Sequence, residues 1–224
     1  MRGAAYVDGF NLYHGLDELN QPYLKWLNLW RLAEIFRRGH ADTIEKVVFC
    51  TATFKGDTGK SARHRFYMDA LRNVNVEIRM GHEGSEYCHC NKCQKGWYAP
   101  REKETDINVA MALYDDAIDN LFDVAFLVTG DTDQAATMKS MAKRFPDKRI
   151  IIVAPPNRDR NTQLKDLAYN RTQIKITTDM LDLALFPGLV TAEGKKAVVR
   201  PAEYAPPAGW IHPDDRPQKA KIAK

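Results

Sequence analysis

Short apolar, β-rich runs recur along the chain, and most give way to a stretch with apolar residues at helical spacing. This alternation is the strongest constraint on the fold. The clearest instance is Val124-Ala125-Phe126-Leu127-Val128, then Thr129-Gly130-Asp131-Thr132-Asp133, then an amphipathic segment from Gln134 to Phe145. An apolar run of that length, a Gly turn and then 3.6-residue periodicity read as a buried parallel strand passing into a helix. The strand half recurs at Ala4 to Val7, Glu45 to Thr53, Asn75 to Met80, Arg149 to Val153 and Gln173 to Ile176. The helical half recurs at Leu29 to Arg38, Arg63 to Leu71, Asp106 to Asn120 and Thr178 to Leu185. In the Asp106 segment the apolar positions are Ile107, Ala110, Met111, Tyr114, Ala117 and Ile118; Asp8-Gly9-Phe10-Asn11 reads as a turn after the first strand. The pattern predicts an α/β class, a Rossmann-like three-layer fold with a mainly parallel central sheet.

The 224 residues, 44% hydrophobic, suffice for one full core. The alternation ends near Pro187, which predicts a domain over 1–189. A Pro-rich tail with little regular structure follows over 190–224, with Tyr204 and Trp210 as residues able to pin it to the body. From Lys195 onward seven Lys/Arg (195, 196, 200, 216, 219, 221, 224) face three acids (203, 214, 215), so the tail carries the whole net charge of +4. A basic tail on a neutral body is compatible with a nucleic-acid partner. No apolar run approaches the roughly 18 residues of a spanning helix, so no membrane is expected. Met1-Arg2-Gly3 leads straight into a strand with no leader pattern, and a cytoplasmic location is the expectation.

Two of the strands end in acids. Asp8 ends the first and Asp131 follows Val128, and in a doubly wound sheet these strands are neighbours where strand order reverses, the place where ligands bind. Asp106 opens the helix that leads into the Val124 strand, Asp133 adds a fourth carboxylate and Asn11 an amide. Unrelated helix caps are the plain alternative. Four like charges in one cleft call for a cation, and hard oxygen ligands without His point to Mg²⁺ or Mn²⁺. Such a centre suits phosphodiester hydrolysis by activated water. Two other chemistries fit poorly. The Gly56 to Ser61 run lacks the first glycine of a phosphate-binding loop, since position 54 is Phe. A haloacid-dehalogenase site needs Asp at position 10, which is Phe.

Asp8-Gly9-Phe10-Asn11-Leu12-Tyr13, Glu102-Lys103-Glu104-Thr105-Asp106-Ile107-Asn108 and Thr129-Gly130-Asp131-Thr132-Asp133 together resemble the NYN domain, the LabA-like branch of the PIN-like nuclease superfamily. The resemblance runs from about Ala4 to Pro187. It implies a PIN-like fold and a metal-dependent endoribonuclease, acting on single-stranded RNA by preference. The residues matching Asp8, Asn11, Asp106, Asp131 and Asp133 would form its site. A non-catalytic RNA-binding module and a DNA-directed nuclease share every one of these residues.

Cys88-His89-Cys90-Asn91-Lys92-Cys93 lies in a stretch read as a loop from Gly81 to Arg101. Thiols at this spacing suggest a structural Zn²⁺ bound by Cys88, Cys90 and Cys93 with His82 or His89, or with a ligand from a second chain in a homodimer; free surface thiols are the alternative. Lys60, Arg63, His64, Arg65 and Arg72 follow one strand, and Arg158, Arg160 and Lys165 another, as a candidate phosphate-steering rim or a solvated face. Tyr13, Trp97 and Tyr98 are candidates for stacking on unpaired bases.

Overall fold

The computed structural model describes residues 1–53, 58–158 and 162–217. Strand β1 (Arg2–Asp8) is buried at every position but the first, as a strand flanked on both edges and covered on both faces must be. It pairs in parallel with β2 (Thr43–Ala52) on one side and β5 (Val124–Val128) on the other. With β3 (Glu77–His89), β4 (Gly96–Lys103), β6 (Arg149–Ala154) and β7 (Gln173–Lys175) they form a seven-stranded sheet in the order β4-β3-β2-β1-β5-β6-β7. All neighbours are parallel except β3 and β4. Strand order reverses between β1 and β5, as the alternation predicts.

Successive side chains of a strand point to opposite faces, and the two faces carry two separate cores. Ala5, Val7, Val47, Phe49, Phe126 and Val153 pack under α1 (Gly9–Asp17), α2 (Leu29–Phe36), α3 (Thr58–Asn73) and α7 (Thr178–Leu183). Tyr6, Val48, Cys50, Leu127 and Ile152 pack under α4 (Thr105–Ile118), α5 (Gln134–Arg144) and α6 (Thr162–Leu167). The molecule is the expected three-layer α/β fold, and among the described residues no helix is long and apolar enough to cross a membrane.

Four local expectations need correction. The turn after β1 is the helix α1, and Asp8 is its N-cap, accepting from the Asn11 N–H at 3.0 Å. The loop from Gly81 to Arg101 is largely an antiparallel hairpin, with His82 opposite Lys103 and His89 opposite Gly96. It reads as a loop because it projects into solvent: Tyr87, Trp97 and Tyr98 are exposed, so no buried face stamps a period on the sequence. In α4 the face against the sheet carries Val109, Ala112, Leu113 and Ala117, while Ile107, Met111 and Ile118 are exposed. Small side chains let the helix lie close to the strands, and that proximity outweighs the larger residues on the other face.

The described part of the tail, expected to lack regular structure, instead folds back over the α1–α3 face. A small hairpin, β8 (Leu189–Val190) with β9 (Val198–Val199), puts Val190 and Val198 into the core. Beyond it Arg63 pairs with Glu203 at 2.9 Å, Arg31 with Asp214 at 2.7 Å, and the Trp210 indole donates to Asp182 at 2.7 Å. Tyr204 and Trp210 do pack on the core.

Candidate metal centre

The acids arrive from the carboxyl ends of β1 and β5 and from the start of α4. Val7 lies beside Val128 in register, so Asp8 and the Thr129–Asp133 turn leave the sheet side by side. One carboxylate oxygen from each of Asp106, Asp131 and Asp133 lies within 4.8 Å of the others, the single such cluster of potential metal ligands among the described residues. Asp8 stands behind them, only 3% exposed. Asp8, Asn11, His14, Asp106, Asp131 and Arg158 line one open cleft.

A hydrogen-bond chain fixes the geometry. The Thr129 hydroxyl donates to Asp8 at 3.1 Å and accepts from the Asp131 N–H at 3.0 Å. The Gly130 N–H donates to Asn11 Oδ1 at 2.9 Å, which ties α1 to the β5 turn. Asp131 Oδ1 accepts from the Asp133 N–H at 3.0 Å. Asp133 begins α5 without a side-chain capping bond, so its carboxylate is not spent on the helix. Burial, with the nearby charges of Asp106 and Asp131 adding to it, pushes the Asp8 carboxyl up to about 7. A carboxyl held that high in a cluster of acids is the electrostatic signature of a site that a cation would relieve.

Two contributors were not legible beforehand. Thr129 shows only as the end of an apolar run. Gln134 is buried, its amide N–H₂ donates to the Asp106 carbonyl at 3.1 Å, and its Oε1 finds no hydrogen-bond partner among the described residues. A polar residue at the head of the buried face of α5, ahead of Ala135, Met138 and Met141, is the one sequence signal for it. An oxygen-only donor set with a buried acceptor beside it fits a hard divalent cation such as Mg²⁺ or Mn²⁺.

Gly130 is required by closeness, not by backbone angle. A Cβ there would stand 2.7 Å from the Arg158 Cβ and 3.0 Å from its carbonyl oxygen. Gly130→Ala is expected to cost about 1–3 kcal/mol through forced displacement and to loosen the Asn11 tie. Denaturant unfolding of parent and variant checks it; equal midpoints would show that the turn has room.

The remaining candidates scatter. Arg158 reaches the cleft and pairs with Glu18. Arg63 is engaged by Glu203 of the folded-back tail, Arg65 is exposed on α3, and Lys60 lines a different hollow. Arg160 lies outside the described residues. His82 cannot complete a zinc site, because it sits near the sheet end of the hairpin, facing Glu104 at 3.1 Å, while Cys88, Cys90 and Cys93 are at the tip. The Cys93 backbone N–H, with the Cys93 side chain and the Lys92 N–H, hydrogen-bonds to the Cys90 sulfur and draws that thiol below its ordinary value. The thiols and His82 form no common ligand cluster among the described residues.

No family model matches the chain. It is 26% identical, over 91% of its own length and 75% of the relative's, to 6-hydroxy-3-succinoylpyridine 3-monooxygenase HspA of Pseudomonas putida (strain DSM 28022 / S16). That relative is an enzyme. A crystal structure of VPA0982, a protein of unknown function from Vibrio parahaemolyticus RIMD 2210633, shares the fold. It has a TM-score of 0.50 and 19% identity, covering 80% of this chain and 94% of that one.

Proposed function

We propose that the chain is a divalent-metal-dependent endoribonuclease acting on single-stranded RNA. The observation that carries this reading is the convergence of Asp106, Asp131 and Asp133 within 4.8 Å in front of the buried Asp8. Asp106, Asp131 and Asp133 would hold Mg²⁺ or Mn²⁺, with Asp8 behind them. The bound cation would supply Lewis-acid activation of water and neutralise charge on the phosphate. Asn11, its Oδ1 taken by Gly130, presents its N–H₂ as a donor to a phosphate oxygen. Arg158, on the same cleft wall, offsets the charge of the backbone entering it, and the exposed His14 stands where it can donate a proton to a leaving oxygen.

The test is cleavage of end-labelled single-stranded RNA and DNA of one sequence with Mn²⁺, Mg²⁺ or EDTA. Metal-dependent cutting of RNA, with DNA at least about tenfold slower, is expected; recognition of the 2′-hydroxyl would supply the difference. Equal cutting of both polymers would make it a general nuclease, and no cutting with either metal would remove the reading. The likeness to the monooxygenase favours a second reading, hydroxylation of a small heteroaromatic acid by O₂, with an added two-electron reductant such as a reduced nicotinamide carrying the second oxygen to water. Oxygen uptake that depends on both such an acid and the reductant would support it.

A further inference from the structure

Beside the acidic cleft, across the first turn of α1, lies a second hollow of different character. It is a narrow cleft, part of it open to solvent. Phe10, Tyr13, Phe49, Tyr67 and Tyr204 supply aromatic walls. At one side Thr51 Oγ1 meets His64 Nε2 at 3.1 Å, and burial, with Lys60 nearby, pushes the His64 imidazole down to about 4, so it is neutral. Lys25 and Lys60 stand 4.7 and 4.8 Å from the centre of the Tyr13 ring. The hollow therefore joins π-faces and a polar edge to two flanking lysines, of which Lys25 is paired with Asp17.

We propose that this slot binds a nucleobase of the strand whose phosphate lies in the acidic cleft. The assignment rests on the nuclease reading and deepens it by naming how the strand is held. Phe10 borders both hollows, so a base seated in the slot places its own backbone beside Asp8 and Asp131. Aromatic walls accept any base by stacking, the Thr51–His64 pair gives the slot a polar edge, and Lys60 lies on the side of the adjoining phosphate. The slot is completed from far away in sequence. Tyr204 comes from the 3₁₀ turn Ala202–Tyr204, which the Arg63–Glu203 pair holds in place. The folded-back tail thus acts as a wall of the slot, a role its basic charge does not suggest.

The experiment is equilibrium binding of AMP, adenosine, ribose 5-phosphate and nicotinate to the full-length protein in EDTA, followed by intrinsic fluorescence. AMP is expected to bind at least about tenfold more tightly than ribose 5-phosphate, the scale of one base–aromatic stack, and more tightly than nicotinate. Tyr204→Ala should weaken AMP about tenfold, leaving ribose 5-phosphate binding unchanged, while Tyr204→Phe keeps parental affinity. Lys60→Ala should weaken AMP and leave adenosine alone. AMP no tighter than ribose 5-phosphate, or Tyr204→Ala without effect, overturns the assignment. Nicotinate binding as tightly as AMP also overturns it, giving the slot to a small heteroaromatic acid. Since no metal or turnover enters the measurement, its failure leaves the nuclease reading standing. Absent cleavage with intact AMP binding removes that reading alone.

Discussion

Asp131→Asn is expected to lower Mn²⁺-dependent cleavage of single-stranded RNA by at least about a hundredfold, the scale of removing one preorganised electrostatic group from an active site. Asn is nearly isosteric and keeps an oxygen to accept the Asp133 N–H, a bond of 3.0 Å in the parent. The turn and the fold should survive, so the loss is attributable to charge. Mn²⁺ affinity, read by calorimetry, should weaken in parallel, because one of three clustered carboxylates is gone. Asp106→Asn should behave alike. Parental cleavage by either variant would mean that the cluster is not the seat of the activity.

Asp8→Asn is expected to stabilise the metal-free chain above neutral pH. The Asp8 carboxyl is pushed from 3.8 up to about 7 in the folded chain, by burial first and then by the Asp106 and Asp131 charges. Between about pH 4 and 7 the folded chain holds a proton that the unfolded chain has released. Stability therefore falls as pH rises through that window, and the whole cost is present above it. The shift corresponds to a ceiling of about 4 kcal/mol. The carboxylate's bonds from the Asn11 N–H and the Thr129 hydroxyl are weakened in the variant, which leaves an expected gain of about 2 kcal/mol. Metal-free Asp8→Asn should melt about 4–8 °C above the parent at pH 8, and the two should converge near pH 4. Added Mn²⁺ should raise the parent more than the variant. Thermal unfolding at pH 4, 6 and 8, with EDTA and with Mn²⁺, is decisive; a variant less stable at every pH would show that the ionised carboxylate is well accommodated without a cation.

Legibility in the sequence followed burial. Val124–Val128 is buried at every position, and a strand enclosed on both faces must be apolar throughout, so it announces itself. The β3–β4 hairpin has no enclosing partner, and a stretch with charged, cysteine and aromatic side chains in solvent gives no period to read. The acids at the ends of β1 and β5 were legible because strand ends in a doubly wound sheet converge by topology alone. The direction of α4 was not, since apolar residues occupy both its faces and the sheet selects between them by closeness.

The α/β alternation, the central place of the first and the Val124 strands, and the acids at their ends are all written in the order of residues along the chain. These follow from periodicity and chain order, which act one element at a time. Packing of the layers is what makes Asp8 cap a helix while lying behind the acidic cluster, turns the buried Gln134 amide toward Asp106, and brings Tyr204 to a hollow begun by Phe10. Those outcomes join residues from 28 to 194 positions apart along the chain. Such pairings have no local signature, because they are set by how the layers pack and not by the residues adjacent in sequence.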